Sequence, residues 1–420
     1  AIRLIPFNAL TCAAVTILCA VICFFLLRKE SKEKTECFPV DRISLIYWEE
    51  LLFFLAFLMW TYLAGFRPAA YGTEKFMDYG FMEAMMRSTT LPARDLWYSE
   101  GHINYYYGGQ YFAVFLTKLS HTKVELTYNL MRTFVAGLAF AMPFSLVYQM
   151  MSDRMKGLQK SEKVIKGLPF AAGFTAGTAV SIAGNMHYVI YAQIIPLIEK
   201  LTGKEVSSYW FPDATRYIGY NPYREEDRTI HEFPCYSFVL GDLHAHVVNI
   251  MFVLLVIALL YVWLRGVRKK TVPVETSMKD GKFWKEQLLM PHLLVISALL
   301  GMFQWTNFWD FVIYYVVTLG TVLFANIIRF QGKIKKIMVV TFAQMAEIYL
   351  LAYLVILPFT LQFDTMVDGI GIAKYHSYFY QLLVLWGLPA VFTITFVISI
   401  LWEKLRGMEH KSLYRLMKAI

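Results

Sequence analysis

The stretch LHAHVVNIMFVLLVIALLYVWL, residues 243–264, decides the architecture. No charged residue falls between His246 and Arg265. The run matches the roughly 20 apolar residues that carry one helix across a bilayer. Only helices and closed barrels satisfy their backbone in hydrocarbon, and this run is too long and continuous for a barrel strand. Polar chemistry stands at its start, in His244 and His246, and a basic segment, RGVRKK, follows its end. That polarity recurs along the chain.

Working outward, comparable runs lie at 5–27, 43–65, 126–150, 168–190, 288–305, 309–328, 338–360 and 379–402, making about nine spans in all. The segments Arg28–Arg42, Arg154–Lys166, Arg265–Lys285, Arg329–Lys336 and Lys404–Lys418 are basic. Nine crossings put all five on one side, the cytoplasmic one by the positive-inside rule. The apolar stretch Tyr105–Leu119 is short and carries Gly108, Gly109 and Gln110. It is expected as an interfacial or re-entrant helix; two full crossings there are the rival reading and raise the count to about eleven. The segments 66–125, 191–242 and 361–378 fall outside the membrane, opposite the basic loops. They are rich in Tyr, Trp, Phe and Pro, so they are expected to pack rather than to be disordered.

Composition agrees. The chain of 420 residues is 57% hydrophobic and 17% charged, with a mean hydropathy of +0.46. A soluble domain carries roughly 25% charged residues. The net charge of +9 sits in short loops and sets orientation, so no nucleic-acid partner is expected. The five cysteines, Cys12, Cys19, Cys23, Cys37 and Cys235, form neither a disulfide framework nor a zinc spacing. Residues 4–27 are too long for a signal peptide and lack a small-residue cleavage site, which makes them a retained helix. The expected organisation is one membrane domain: an N-terminal helix and basic loop at 1–42, a motif-bearing core at 43–328, and C-terminal spans at 329–420. Because it begins with Ala, the chain is expected to be processed or part of a longer one.

Chemistry-bearing residues gather in the outer segments. In YGTEKFMDYGFMEAMM, Glu74 and Asp78 are four apart and share a helical face. A half-desolvated carboxylate there can act as a base or hold a cation; the plainer reading is an amphipathic interfacial helix. WYSEGHINYYYGGQYF supplies His102, Asn104, Tyr105, Tyr106 and Tyr107, suited to a sugar or lipid headgroup, or to simple interfacial anchoring. Gly108 and Gly109 allow close backbone approach. HEFPCYSFVLGDLHAHVVN supplies His231, Glu232, Asp242, His244 and His246. Asp242 and His246 are i, i+4 and would share a helical face, which makes them candidates for a divalent cation, Mg or Mn. His244 joins them only where the backbone is not regular helix. In GMFQWTNFWDF, Asn307 and Asp310 lie at a turn, Asn307 as a helix cap in the plainer reading. Asp364, Asp368, Lys374 and His376 form a weaker group.

The motifs TEKFMD, INYYYGGQYFAVFLTKL, FPCYSFVLGDLHAH and TNFWD resemble, in order, those of the YYY membrane-protein family, over about Trp48 to Trp309. That family's chains are generally longer. It in turn looks like the GT-C class of membrane glycosyltransferases, which carry an acidic motif in the first large outer loop, then an interfacial helix and a polar motif. Here Glu74–Asp78, the helix around Phe81–Met86, and His102–Tyr107 take those places. The resemblance implies an all-α, GT-C-like transmembrane bundle with long extracytoplasmic loops carrying interfacial helices. It also implies a polyprenyl-phosphate-linked sugar donor from the membrane lipid, transfer on the extracytoplasmic face, and Asp78 or Glu74 as the catalytic carboxylate. Two departures stand out: an extra helix before the motif-bearing pair, and an acidic motif spaced E-x3-D. Lys75, Arg216, Arg224 or Arg228 could steady a phosphate leaving group. A lipid or solute transporter, with Glu49, Glu50 and Glu347 as its intramembrane acids, and a non-catalytic scaffold are the competing readings.

Overall fold

The computed structural model describes residues 5–32, 43–72, 74–156, 162–269, 277–365 and 371–406. Thr73, Cys37 and Asp368 lie outside the described residues, as do parts of the basic segments expected at 28–42, 154–166, 265–285 and 404–418. The described residues fold into helices and turns with no strand: α1 (Ala9–Lys32), α2 (Ile43–Gly65), α3 (Lys75–Arg87), α4 (Gly108–Ser120), α5 (Val124–Met155), α6 (Glu162–Ser181), α7 (Ile195–Leu201), α8 (Pro234–Leu240), α9 (Ala245–Lys269), α10 (Gly281–Gln287), α11 (Pro291–Thr306), α12 (Phe308–Phe330), α13 (Ile334–Thr360) and α14 (Phe379–Arg406).

Seven helices among the described residues are long and apolar enough to cross a membrane, within α1, α2, α5, α9, α12, α13 and α14. The pair α10 and α11, bent by 54° at its break, makes an eighth if taken as one span. The stretch expected to cross at 168–190 is broken: α6 ends at Ser181, helix resumes at His187, and the stretch is not one of these seven. The chain turns after α6, where Asn185 Oδ1 accepts the N–H of His187 (3.1 Å), so a polar side chain takes over a backbone donor. At 13 residues α4 is too short to span.

Two compact units emerge. The first comprises residues 5–182 and 237–365, the second 183–236 and 371–406. In the first unit α5 packs between α2 and α6. Lipid tails are as apolar as leucine, so close packing and interhelical hydrogen bonds hold such helices together. Gly173 and Gly177, a small-x-x-x-small pair, let α6 meet α5. A Cβ at either position would come 2.7 Å from the carbonyl oxygen of Phe144 or Phe140. Ser181 Oγ donates to Ala136 O (3.0 Å) and accepts from Trp60 Nε1 (3.0 Å), tying α2, α5 and α6 together. A second core joins α9, α11, α12 and α13 through Val256, Leu260, Ile296, Leu300, Phe303, Val322 and Ile348. Gly301 brings α11 against the backbone of Ala352 on α13.

In the second unit, α14 is tied to the segment before α7 by the Met186 N–H bonded to Val384 O (2.9 Å). Tyr217, Ile218, Val384 and Leu385 form its core.

Candidate functional site

The site is assembled in the first unit by α3, α4, α5 and the turn that leads into α9. Glu74 precedes α3 and Asp78 lies in its first turn, where a carboxylate faces the positive end of the helix. Their spacing puts both on one face, as expected, and that face meets a single imidazole. His244 Nδ1 lies 2.9 Å from Asp78 Oδ2 and His244 Nε2 lies 2.9 Å from Glu74 Oε2. Asp78 is wholly buried, whereas the Glu74 side chain is 60% exposed. Asp78 Oδ1 accepts from Gln110 Nε2 (2.7 Å), so both oxygens of Asp78 are engaged.

Burial alone would lower the pKa of His244. The hydrogen bond and charge of Asp78, with the charges of Asp242 and Glu74, outweigh it and hold His244 at about 9. The ring is therefore an imidazolium at neutral pH, donating from both nitrogens to the two carboxylates.

The turn that presents His244 is itself gripped. Gly241 sits at φ +78°, and a Cβ there would come 1.7 Å from Arg132 Nη1. Arg132, on α5, donates to Gly241 O (3.3 Å) and Ala64 O (3.2 Å), and Tyr128 Oη donates to Gly241 O (3.4 Å). Gln110 Nε2 donates also to Leu243 O (2.9 Å). The backbone of residues 241–244 is thus a turn, and α9 begins at Ala245. This corrects the expectation that Asp242 and His246 share a helical face. Asp242 lies ahead of the helix, buried, and its charge acts on Lys75 and His244. His246 lies edge-on to His244, with ring centroids 5.9 Å apart. Burial lowers the pKa of Lys75; the charge of Asp242 opposes this, while Arg132 and Arg67 add to it.

A second polar cluster lies further along α9. Asn249 Nδ2 donates to Asp310 Oδ2 (2.6 Å), Asn307 Nδ2 donates to the same oxygen (2.9 Å), and Thr306 Oγ1 donates to Asn249 Oδ1 (2.7 Å). Asn307 therefore binds the Asp310 carboxylate with its side chain and does not cap α12 with it. Gly108 and Gly109 let α4 close onto both elements: a Cβ would come 2.8 Å from Thr306 Cγ2 at the first and 2.8 Å from Val248 Cβ at the second.

The tyrosine triplet splays in three directions. Tyr105 packs on Phe81 (5.5 Å), and burial, with the charges of Asp78 and Glu74, pushes its hydroxyl up to about 12. Tyr106 packs on Phe363 (5.3 Å). Buried Tyr107 meets Trp305 edge-on (5.4 Å). Asn104 is exposed and pairs with the backbone of Asp364 in both directions, at 3.0 Å each way. His102 is exposed and lines a separate cleft.

His231 and Glu232 belong to the second unit, where burial lowers the pKa of His231. Arg216 lies there over Trp210, Arg224 over Tyr375 and Tyr378, Arg228 over Tyr220 and Tyr223, and Lys374 over Tyr375.

Gln110 and Arg132 complete the first cluster, and Asn249 and Thr306 the second. Arginine inside a long apolar run was the readable signal for Arg132, since ionisable groups there default to function. In the first cluster both oxygens of Asp78 are hydrogen-bonded within the protein, one to Gln110 and one to His244. Among the described residues no group of three His, Cys, Asp or Glu side chains is disposed to hold a metal ion.

Apolar helices of spanning length, bearing a buried charged cluster where several of them begin and end, define a polytopic membrane protein. The model of the family described as "Uncharacterized membrane protein (DUF2298)" matches residues 1–420, and the chain belongs to that family. No curated protein and no solved structure matches it.

Proposed function

We propose that this protein is a membrane glycosyltransferase that moves a sugar from a polyprenyl-phosphate-linked donor to an acceptor hydroxyl on the extracytoplasmic face. The observation that carries the reading is the Glu74–His244–Asp78 arrangement. It couples one solvent-accessible carboxylate to an imidazolium anchored on a buried one. The positive-inside expectation supports an outward position for this end of the bundle, and the order of motifs agrees with the resemblance to GT-C enzymes.

The chemistry assigns roles. Glu74, the accessible acid, takes the acceptor proton. The acceptor oxygen bonds to the anomeric carbon as the carbon–oxygen bond to phosphate breaks, and the electron pair leaves on the phosphate oxygen. The His244 imidazolium and Lys75 supply positive charge to that leaving group. Asp78 acts through His244 and is a positioning residue. The expected result is that Glu74→Gln lowers transfer from a polyprenyl-phosphate sugar by at least about 100-fold, the usual scale of a general base, with insertion and helical content unchanged. Full transfer by Glu74→Gln would refute the assignment.

A second reading, a lipid or solute transporter, draws on the broken α10–α11 pair. Glu347 Oε1 accepts the Leu289 N–H at that break (2.8 Å), and discontinuous helices often form transporter sites. Solute flux in liposomes that is abolished by Glu347→Gln would favour it over sugar transfer.

A further inference from the structure

We propose that a cleft at the far end of α3 binds the phosphate headgroup of an anionic membrane glycerophospholipid. This site is distinct from the carboxylate–imidazole cluster and does not depend on the sugar-transfer reading. The cavity, about 610 Å³, lies between the last turn of α3 and the loop that follows, and its lining includes Arg87, Arg94, His102 and Thr90.

Three features give it anion chemistry. None of Arg87, Arg94 and His102 takes part in an ion pair among the described residues. Asp95 is the acid in the lining, outnumbered by the two arginines, and its Oδ1 is turned to the N–H groups of Trp97 (2.7 Å) and Tyr98 (3.0 Å). The carbonyls at the end of a helix would repel an anion, but here they are neutralised from behind: buried Lys118 donates from Nζ to Met86 O (2.9 Å) and Ser88 O (3.2 Å). Arginine forks match phosphate oxygens two at a time.

The surroundings select a lipid. Leu96, Trp97 and Tyr98 are exposed on the loop that lines the cleft, and Trp97 is seated on Gly80 of α3, where a Cβ would come 2.9 Å from its ring. Exposed Trp and Tyr on a membrane protein mark headgroup depth. Arginines at that depth meet lipid phosphates. The cavity accommodates a headgroup and leaves acyl chains outside, against those aromatics.

The test is native mass spectrometry of the full chain in neutral detergent, titrated with phosphatidylglycerol or phosphatidylcholine. The wild type is expected to retain phosphatidylglycerol preferentially. Arg87→Gln with Arg94→Gln should weaken that retention roughly 30-fold, at the usual contribution of one cation near a membrane surface; Arg87→Lys with Arg94→Lys should keep most of it. Both arginines are exposed, so unchanged helical content is expected of each variant. Equal retention by the double-Gln variant overturns the proposal. So does full displacement of the lipid by millimolar inorganic phosphate, which would make this a free-phosphate site.

Discussion

Replacing Asp78 with Asn tests the chemistry of the site at its most buried point. The substitution is nearly isosteric but removes the charge that faces His244 Nδ1 at 2.9 Å. In the wild type His244 is held at about 9 against an ordinary value of 6.5. That displacement corresponds to about 3 kcal/mol of preference for the imidazolium. A hydrogen bond to a charged group contributes about 1.5–3 kcal/mol. Replacing the charged acceptor by a neutral one should lower the His244 titration by about one to two pH units, to about 7–8. Glu74 and Asp242 still act on the ring, so it does not fall to where burial alone would put it. The assay is nitrogen-15 NMR of histidine-labelled protein in nanodiscs, with the His244 signal assigned by its loss in His244→Gln. A ring that still titrates near 9 in Asp78→Asn would refute the claim that Asp78 dominates it.

Other perturbations follow from the same geometry. A histidine with a raised folded-state pKa stabilises the protein fully below about 6.5, and that stabilisation is lost as pH rises through about 9. Thermal unfolding should therefore show a drop in stability between pH 7 and 9.5 that is absent in His244→Gln; matching pH profiles for the two proteins would refute this. Gly241→Ala adds a Cβ at 1.7 Å from Arg132 and forces alanine to φ +78°. It should cost at least about 1–3 kcal/mol of stability, read as a lowered unfolding temperature, and an unchanged temperature would mean the turn is free to move.

The apolar spans were legible because a run of about 20 uncharged residues has few other stable fates. The short helix α4 was legible for the converse reason, and its Gly108–Gly109 start because glycine lets backbones approach. The Glu74–Asp78 pair followed from helical geometry alone. What stayed hidden depended on tertiary partners. Helical spacing argued for Asp242 with His246, but a glycine at positive φ, gripped by Arg132, replaces that turn of helix and swings His244 to the carboxylates instead. Gln110 sat in plain view within a quoted motif. Its role appears only once α4 is laid against α3 and the turn before α9, more than a hundred residues further along the chain. The break after α6 holds a side chain–backbone hydrogen bond from His187 N–H to Asn185, a local polar feature that hydropathy does not register.

The balance of charge limits how the first cluster can work. Glu74, Asp78 and Asp242 face Lys75, Arg67, Arg132 and His244 at or near one buried turn. His244 has a carboxylate at each ring nitrogen, which favours its imidazolium form. A phosphate-bearing substrate adds negative charge beside Glu74. In the proposed transfer the His244 imidazolium and Lys75 offset that charge, and Glu74, the accessible acid, is placed to take the proton an acceptor hydroxyl must lose. Asp78, sealed from solvent with both oxygens bonded, holds His244 in place. Under the proposed sugar transfer the two acids of one motif divide the work, the exposed one moving a proton and the buried one positioning His244.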